Sequence, residues 1–526
     1  MKVSSWVSKV APPPRRDGDL AHRGAVMGVS HGLEHALWFA GSPAKAVETP
    51  TYRRSNAFPH VAEEVRAVRE AVGVCEIANY SKHEVKGPGA EAFLDRMLPA
   101  NLPGPGRFAL SPLLTPAGKL YGDLTVARLA DDRYMLFGSY AVQNMHRRWF
   151  ETHLPAEGVS YRNVTDDFHG LAIAGPKSRD VLRRLVRDDV SSEAFRFMDI
   201  RPMIVGNVPT LVARVSFTGE LGYEIYCAPA HQLRLFEAIE EAGAEYGLRL
   251  FGGRALMSMR LEKNWGVWTM DFRPDFTAAQ SGLDRFMALN KPVDFIGKAA
   301  ALKEKAAGPA RRLVTMTVET KDIDCWGDEP IFHEGKCVGY VTSGGYAHHV
   351  RKSMAMGYVP PECAGDGTKL EIELLGEFYA ATVTAKAQTV EIEYWQYFFK
   401  ERVTAIDALI KTFEAANPGI KVKHTHFPYA QYQTKVAAAV PAGEGPDVVQ
   451  LYYGWLEEYR KANLLAPLPK DQFDPAMVEK EFFPIVKAMK AEGSYWGLPT
   501  AVRSMALFYN KLVRSYSENE SIKILG

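Results

Sequence analysis

Apolar and polar residues follow two different periodicities between residues 59 and 308. An every-second-residue pattern predicts strands at 83–87, 124–128, 134–138, 171–175, 211–217 and 223–227. Spacing of three to four residues predicts amphipathic helices at 90–98 and 231–247. Strands interleaved with such helices are typical of an α+β or α/β fold, so residues 59–308 are predicted to form a domain of that class.

Two further blocks follow with different patterns. Residues 309–387 contain short runs typical of strands and hairpins, which predict a small barrel or sandwich. From residue 388 to 526 the order begins with a strand at 390–398, a helix at 404–419 and a strand at 421–427. A β-α-β order favours parallel pairing in an α/β lobe.

The first 58 residues are rich in Pro, Gly and Arg without sustained periodicity, so we expect a linker that supplies little core. His31, Glu34 and His35 spell the HxxEH zinc signature, which needs both imidazoles on one helix face. Gly32 disfavours a helix there, and a short motif recurs by chance in a long chain. We therefore predict no metal site.

Composition limits the function classes. The 526 residues carry 63 Lys plus Arg and 62 Asp plus Glu, a net charge of +1, so nucleic acid is not expected as a partner. No apolar run approaches the roughly 18 residues of a membrane span, and no signal peptide is recognisable, which makes the cytoplasm the expected location. The five cysteines are scattered and are expected to be reduced thiols.

The segment SFTGELGYEI, residues 216–225, carries the first candidate chemistry. If a turn precedes the strand, Tyr223 and Ile225 share one face while Glu224 and Tyr226 share the other. An inward Glu224 would accept two parallel hydrogen bonds from the edge of a heterocycle that offers an N–H and an amino group. A solvent-facing Glu224 on an edge strand fits the pattern equally well.

Asp123 and two arginines are the next candidates. Asp123 stands where a Gly-containing turn enters a strand, so it either caps the turn or serves a pocket as a proton acceptor. Arg254 and Arg260 are six residues apart on a helical segment and therefore lie on different faces, so only one is expected to point at a pocket.

Several segments together resemble a known family: 82–97, 114–129, 171–182, 216–225, 251–263, 295–302, 327–349 and 356–360. They are similar, in order, to the folate-binding part of dimethylglycine and sarcosine dehydrogenases, which resembles the aminomethyltransferase T-protein of the glycine cleavage system. The resemblance runs from about residue 22 to 386. It implies a T-protein-like folate-binding domain at 59–308 and a β-barrel at 309–387, with residues 1–58 as the remnant of a flavin half.

The resemblance implies that a one-carbon unit from an oxidised N-methyl group passes to tetrahydrofolate, which yields 5,10-methylenetetrahydrofolate and the demethylated amine. It makes Asp123 the catalytic residue and Glu224 the pterin-binding carboxylate. The same motifs imply folate contacts by Phe217, Glu220, Tyr223, Arg254 and Arg260, although Leu256 stands where T-proteins carry an Arg. The flavin domain's GxGxxG strand-turn-helix is not found, so FAD is not expected on this chain and a separate flavoprotein is the expected partner.

Residues 389–511 resemble a different family, the solute-binding proteins of sugar-type ABC importers. By analogy Trp395, Tyr397, Asp447, Trp455 and Trp496 are candidates for a ligand cleft, with core packing as an equally good interpretation of each Trp. The similarity covers one partial lobe.

The function expected from the sequence is tetrahydrofolate-dependent one-carbon transfer in the demethylation of an N-methylated glycine such as dimethylglycine or sarcosine. The alternatives are a sugar-binding module of an ABC importer or a truncated fusion without function.

Overall fold

The computed structural model describes residues 20–77, 79–384, 390–416, 420–440, 445–462, 464–468, 473–482 and 484–498. The chain divides into two units, residues 1–388 and 389–526. Among the described helices, none combines the length and the apolar composition needed to cross a bilayer.

The strands described in the first unit are β1 (Ala25–Ser30), β2 (Leu33–Phe39), β3 (Gly73–Glu76), β4 (Tyr80–Lys86), β5 (Arg107–Leu114), β6 (Leu120–Ala130), β7 (Arg133–Ser139), β8 (Ser160–Asn163), β9 (His169–Ala174), β10 (Ile200–Val205), β11 (Val208–Ala213), β12 (Gly222–Cys227), β13 (Arg249–Leu250), β14 (Arg312–Val318), β15 (Pro330–His333), β16 (Lys336–Ala347), β17 (Lys352–Val359), β18 (Lys369–Leu374) and β19 (Glu377–Thr384). Its α-helices are α1 (Phe58–Glu70), α2 (Ala90–Met97), α3 (Gln143–His153), α4 (Ser178–Leu185), α5 (Gln232–Gly243), α6 (Gly253–Glu262) and α7 (Lys298–Ala307).

Two sheets form the centre of the first unit. One has the strand order β10-β11-β12-β9-β3-β13, and the other has the order β5-β6-β7-β4-β8. One hydrophobic cluster contains side chains of both sheets, among them Phe108 and Phe137 from the second and Ile77 and Tyr226 from the first. The two sheets therefore share a core.

Strand β12 has a different environment on each face. Tyr223, Ile225 and Cys227 belong to the cluster beneath helices α4 and α5, whereas Tyr226 belongs to the core shared by the two sheets. The alternation predicted from the sequence is therefore confirmed. The strand predicted at 211–217 ends earlier, at Ala213, and residues 214–221 form the loop that leads into β12.

The described residues 312–384 form the predicted barrel. Its strands close in the order β14-β17-β16-β15-β18-β19, with β14 pairing to both β17 and β19. The buried thiols of Cys325 and Cys363 lie in its core. The mixed α+β architecture with a small barrel is thus confirmed.

The N-terminal segment differs from the expected linker. Residues 25–39 form the β1–β2 hairpin, and Trp38 is completely buried in the core shared by the two sheets. Burial of the Trp38 ring attaches this segment to the core. The segment has no periodic pattern of apolar residues, so the prediction of a linker that supplies little core was wrong. The HxxEH motif lies on this hairpin, so His31 and His35 do not share a helix face.

Glu64 on α1 connects the hairpin to helix α6. One carboxylate oxygen accepts the backbone N–H of Phe39 at 2.7 Å, and the other accepts that of Gly252 at 2.9 Å. The side chain is almost fully buried, and burial raises the pKa of Glu64 to about 7 against the effect of these two bonds. Glu64 therefore satisfies two buried backbone donors from segments far apart in sequence.

In the second unit the described strands are β20 (Val390–Tyr397), β21 (Ile420–Phe427), β22 (Val448–Val449), β23 (Lys490–Ala491) and β24 (Ser494–Tyr495). Its helices are α8 (Lys400–Ala416), α9 (Tyr429–Ala439), α10 (Leu456–Lys461) and α11 (Pro475–Glu481). Both β21 and β22 pair in parallel with β20, so the parallel pairing inferred from the β-α-β order is confirmed.

We expect Glu64→Ala to lower the free energy of unfolding by about 3 kcal/mol, because it leaves two buried backbone N–H groups without an acceptor. Urea denaturation followed by circular dichroism measures the change. Glu63→Ala is the matched control, since Glu63 forms an exposed ion pair with Arg249, and its loss should cost less than about 1 kcal/mol. Equal effects of the two substitutions would contradict the proposed role of Glu64.

Candidate functional site

A small cavity, with an accessible volume of about 10 Å³, lies where the six-stranded sheet meets the first residue of β4. Its walls come from strands β3, β9 and β12, from the loop after β11 and from helix α6. The lining residues are Cys75, Ile77, Tyr80, Ala172, Ile173, Ala174, Val215, Ser216, Phe217, Thr218, Glu224, Phe251 and Leu256. An ionisable carboxylate in a mostly apolar cavity is the usual mark of a ligand site.

Glu224 is half-buried and lines this cavity. The hydroxyl of Tyr226 donates to Oε2 of Glu224 at 2.6 Å. Burial raises the pKa of Glu224 to about 7, while the Tyr226 hydrogen bond and the charges of Lys263 and Lys82 act in the opposite direction. Glu224 therefore changes its charge close to neutral pH.

Two lysines surround this carboxylate. Lys82 on β4 is completely buried, and its Nζ donates to the backbone carbonyl of Tyr80 at 2.7 Å. Burial lowers the pKa of Lys82 to about 8, against the charges of Asp166 and Glu224. Lys263, just after α6, donates from Nζ to the carbonyl of Ser216 at 2.9 Å, and burial lowers its pKa against the charge of Glu224.

Asp123 lies on β6, opposite Pro112 of β5, and is half-buried. Asp123 is not among the residues that line the cavity beside Glu224. Burial raises the pKa of Asp123 to about 7. Burial also raises the pKa of Tyr80, with smaller contributions from the charges of Glu224, Cys75 and Asp123. Tyr80 thus lies within electrostatic range of both candidate carboxylates.

Phe217 and Glu220 belong to the same loop but have different environments. Phe217 lines the cavity together with Glu224. Glu220 accepts a hydrogen bond from Nη1 of Arg69 at 2.7 Å and does not line that cavity. It borders a second depression of about 310 Å³ on the loop, together with Arg214. The structure therefore places Glu220 outside the cavity that Glu224 lines, with its charge paired to Arg69.

Tyr223 is also displaced from its predicted role. Its side chain is completely buried in the cluster under α4 and α5, where its hydroxyl accepts from Nε of Arg179 at 3.2 Å. The period of two along β12 directs it away from Glu224. A contact between Tyr223 and folate in the cavity is therefore wrong.

Arg260 is completely buried and forms an ion pair with Asp271 at 2.9 Å. It also donates to the carbonyl of Trp265 at 3.2 Å. Asp271 in turn accepts from Ser343 at 2.6 Å and from the backbone N–H of Val267 at 3.0 Å. Arg260 therefore joins helix α6 to the barrel and is not a folate ligand, contrary to the sequence expectation.

Arg254 lies nearer the N-terminal segment. Its Nη1 donates to the carboxylate of Glu48, which also accepts from Ser55 at 2.7 Å and from Nε1 of Trp38 at 3.2 Å. About a third of the Arg254 side chain is exposed (35%), which leaves it accessible to a ligand. Leu256, two residues later, lines the cavity where relatives carry an Arg.

The five candidates in the second unit do not form one cleft. Trp395 is buried in a hydrophobic cluster with Tyr432, and Asp447 accepts the backbone N–H of Glu393 at 2.8 Å. These contacts contradict ligand roles for Trp395 and Asp447. Trp496 donates to the carbonyl of Ala491 at 3.2 Å and lies under the guanidinium of Arg460.

Tyr397 and Trp455 are the two candidates that the structure brings together. Their rings lie on either side of Tyr429, with centroid distances of 5.3 Å for Tyr397 and 6.1 Å for Trp455.

Tyr80, Lys82 and Lys263 are the members of the site that the sequence did not reveal. Lys82 lies on β4, which begins three residues before the predicted start at His83. The sequence feature that could have identified Lys82 is its position two residues after the aromatic Tyr80. In a strand such a pair shares one face. The surroundings of Lys263 depend on the loop at Ser216, which sequence periodicity does not specify.

Comparison with known proteins identifies the families. Residues 18–291 match the GCVT N-terminal domain, and residues 311–388 match the glycine cleavage T-protein C-terminal barrel domain. Residues 387–513 match the bacterial extracellular solute-binding protein family. The chain therefore belongs to the glycine cleavage T-protein family and continues into a solute-binding-protein segment.

Individual relatives agree with this. The chain is 36% identical over 359 residues to human mitochondrial dimethylglycine dehydrogenase, which covers 68% of this chain and 42% of that protein. It is 29% identical over 342 residues to the aminomethyltransferase of Desulfitobacterium hafniense strain Y51, over 65% of this chain and 93% of the relative. The crystal structure of glycine cleavage system aminomethyltransferase T from Bartonella henselae matches with a TM-score of 0.61 and 25% identity, over 71% of this chain and 96% of that chain.

These relationships confirm the family resemblance and the domain types. The first unit is an aminomethyltransferase-like domain related to dimethylglycine dehydrogenase. The chain spans less than half the length of the human dehydrogenase.

We expect Arg260→Ala to destabilise the protein by about 3–5 kcal/mol, because it leaves the buried charge of Asp271 uncompensated. Arg254→Ala removes a partly exposed ion pair and should cost less than about 1 kcal/mol. Chemical denaturation of the two variants beside the parent chain tests this. A stable Arg260→Ala protein that had lost folate binding would restore the ligand role that the sequence suggested.

Proposed function

We propose that the first unit transfers a one-carbon unit from an N-methylated glycine, such as dimethylglycine or sarcosine, to tetrahydrofolate. The observation that carries this proposal is the carboxylate of Glu224, which lines a mostly apolar cavity and is held by Tyr226. Such a carboxylate suits a flat heterocycle that presents two adjacent N–H donors.

The residues of the cavity fit the pterin end of tetrahydrofolate. Phe217 offers an aromatic face to a ring bound beside Glu224, and stacked aromatic rings attract each other. The cavity has an accessible volume of about 10 Å³, roughly the space of one water molecule. A ring bound beside Glu224 therefore requires the lining side chains to move apart.

Tetrahydrofolate supplies amine nitrogens that accept the one-carbon unit. The chain's contribution is to bind the ring through Glu224 and to exchange a proton through Asp123. A carboxyl group with a pKa of about 7 is present in both protonation states at neutral pH. Asp123 can therefore accept a proton and release it again, or stabilise a developing cation, near physiological pH.

The relatives support the proposed substrate and partner. Human dimethylglycine dehydrogenase, over less than half its length, is similar to this chain, and its name supports an N-methylated glycine as the source of the carbon. The oxidation of that methyl group requires an electron acceptor, which we propose is bound by a separate flavoprotein. We propose the cytoplasm as the location of the reaction.

Sugar binding by the second unit is the competing function. Trp395 and Tyr397 are both buried in the cluster around Tyr432, and Asp447 accepts a backbone hydrogen bond, which leaves the half-buried Trp455 beside Tyr429 as the ring more available to a sugar. Calorimetric titration with a panel of sugars tests this function, and we expect no binding heat.

We expect the full chain to bind tetrahydrofolate with a Kd on the order of micromolar, about −8 kcal/mol. Glu224→Ala should weaken binding at least about 100-fold, because it removes two charge-assisted hydrogen bonds. Anaerobic calorimetry measures both constants. Glu220→Ala is the matched control, since Glu220 pairs with Arg69 outside the cavity. Unchanged binding in Glu224→Ala would place the folate elsewhere.

Asp123→Asn should leave tetrahydrofolate binding within a few-fold of the parent chain and lower the rate of one-carbon transfer by about 10²- to 10⁴-fold. The rate is measured as methylenetetrahydrofolate formed while an added amine-oxidising flavoprotein supplies the oxidised N-methylglycine. Full activity in this variant would remove Asp123 from the reaction.

A further inference from the structure

Tyr226 holds the carboxylate of Glu224 from within the same strand. Both side chains lie on the face of β12 that points to the core shared by the two sheets, two residues apart. The Tyr226 hydroxyl donates to Oε2 at 2.6 Å, a length typical of a hydrogen bond to an ionised oxygen. This bond fixes the direction of a side chain that otherwise rotates about three bonds.

The ring of Tyr226 is held in one orientation by the residues packed around it. It is 99% buried and packs against Phe137 at a centroid distance of 4.9 Å. On the neighbouring strand β9 the residue paired with Tyr226 is Gly170, where an added Cβ would come within 2.9 Å of the ring. Glycine at position 170 therefore leaves the space that the Tyr226 ring occupies.

Other ionisable groups face Glu224 from each element around it. Lys82 and Tyr80 approach from β4, Lys263 from the end of α6, and Cys75 lines the same cavity from β3. Among the described contacts of Glu224, the one at hydrogen-bond length comes from Tyr226, whereas the two lysines donate to backbone carbonyls and act on Glu224 through their charge.

We propose that Tyr226 is a positioning residue that fixes the orientation of the Glu224 carboxylate toward the ligand in the cavity and favours its ionised form. This inference rests on the proposed folate site. The Tyr226 bond occupies Oε2, so a ligand with two adjacent donors meets a carboxylate already set in one orientation. Burial alone would favour the protonated form of Glu224, which lacks one of the two acceptors such a ligand needs.

The test compares Tyr226→Phe with Tyr223→Phe in the full chain. Both substitutions remove one buried hydroxyl from β12, but Tyr223 lies on the opposite face and bonds to Arg179. Two measurements are made between pH 5.5 and 9.5: the carboxyl titration of Glu224 by carbon-13 NMR without ligand, and tetrahydrofolate affinity by anaerobic calorimetry. A Glu224→Gln sample identifies the Glu224 signal.

In the parent chain the pKa of Glu224 is about 7, so affinity should rise as the pH increases through that value and fall below it. In Tyr226→Phe the titration should move upward by about one pH unit, since the ionised form loses a hydrogen bond. Affinity at pH 7 should then fall about fivefold and recover toward the parent value above pH 9. Tyr223→Phe should follow the parent curve at every pH.

An unchanged pKa of Glu224 in Tyr226→Phe would overturn the inference, whatever the affinity of that variant for tetrahydrofolate. A parent chain that bound no tetrahydrofolate at any pH would instead refute the proposed function, while a shifted titration would still support the role of Tyr226. Equal losses of affinity in both tyrosine variants without a pH shift would mean that the hydroxyl acts only through stability, which also contradicts the inference.

Discussion

A carboxylate that lies between two packed β-sheets loses its hydration, and neighbouring groups must replace the lost interactions. In this protein the apolar core shared by the two sheets brings Glu224 into that position, because β12 places every second residue on the shared face. Tyr226 and the charges of two lysines then offset part of the burial. The site therefore depends on the same alternation that builds the core.

Much of the fold could be predicted from local patterns. Strand alternation located β12 and its two faces, and the change to short strands after residue 309 located the barrel, because both patterns reflect which side chains face a core. The N-terminal hairpin escaped prediction for the opposite reason. Its place in the fold depends on one residue, Trp38, and on the distant carboxylate of Glu64, neither of which produces a period.

Some residues of the candidate site could likewise be predicted from the sequence, and others could not. Glu224 and Phe217 lie together in a cavity, as the family resemblance implied. Arg260, Glu220 and Tyr223 looked equally suitable as sequence, but each is engaged by a residue far along the chain: Asp271, Arg69 and Arg179 respectively. The sequence shows which charged or polar side chains a motif contains. Only the folded structure shows whether each of them is already bound to another residue of the protein.

The closed barrel has a consequence for its own C-terminal end. Its final strand, β19, is paired on both sides, by β14 and by β18, so the barrel presents no open sheet edge at its C-terminal strand. An unpaired strand there would be a template for intermolecular pairing. Because β19 already has both partners, the barrel needs no further strand after residue 384 to complete its hydrogen bonding.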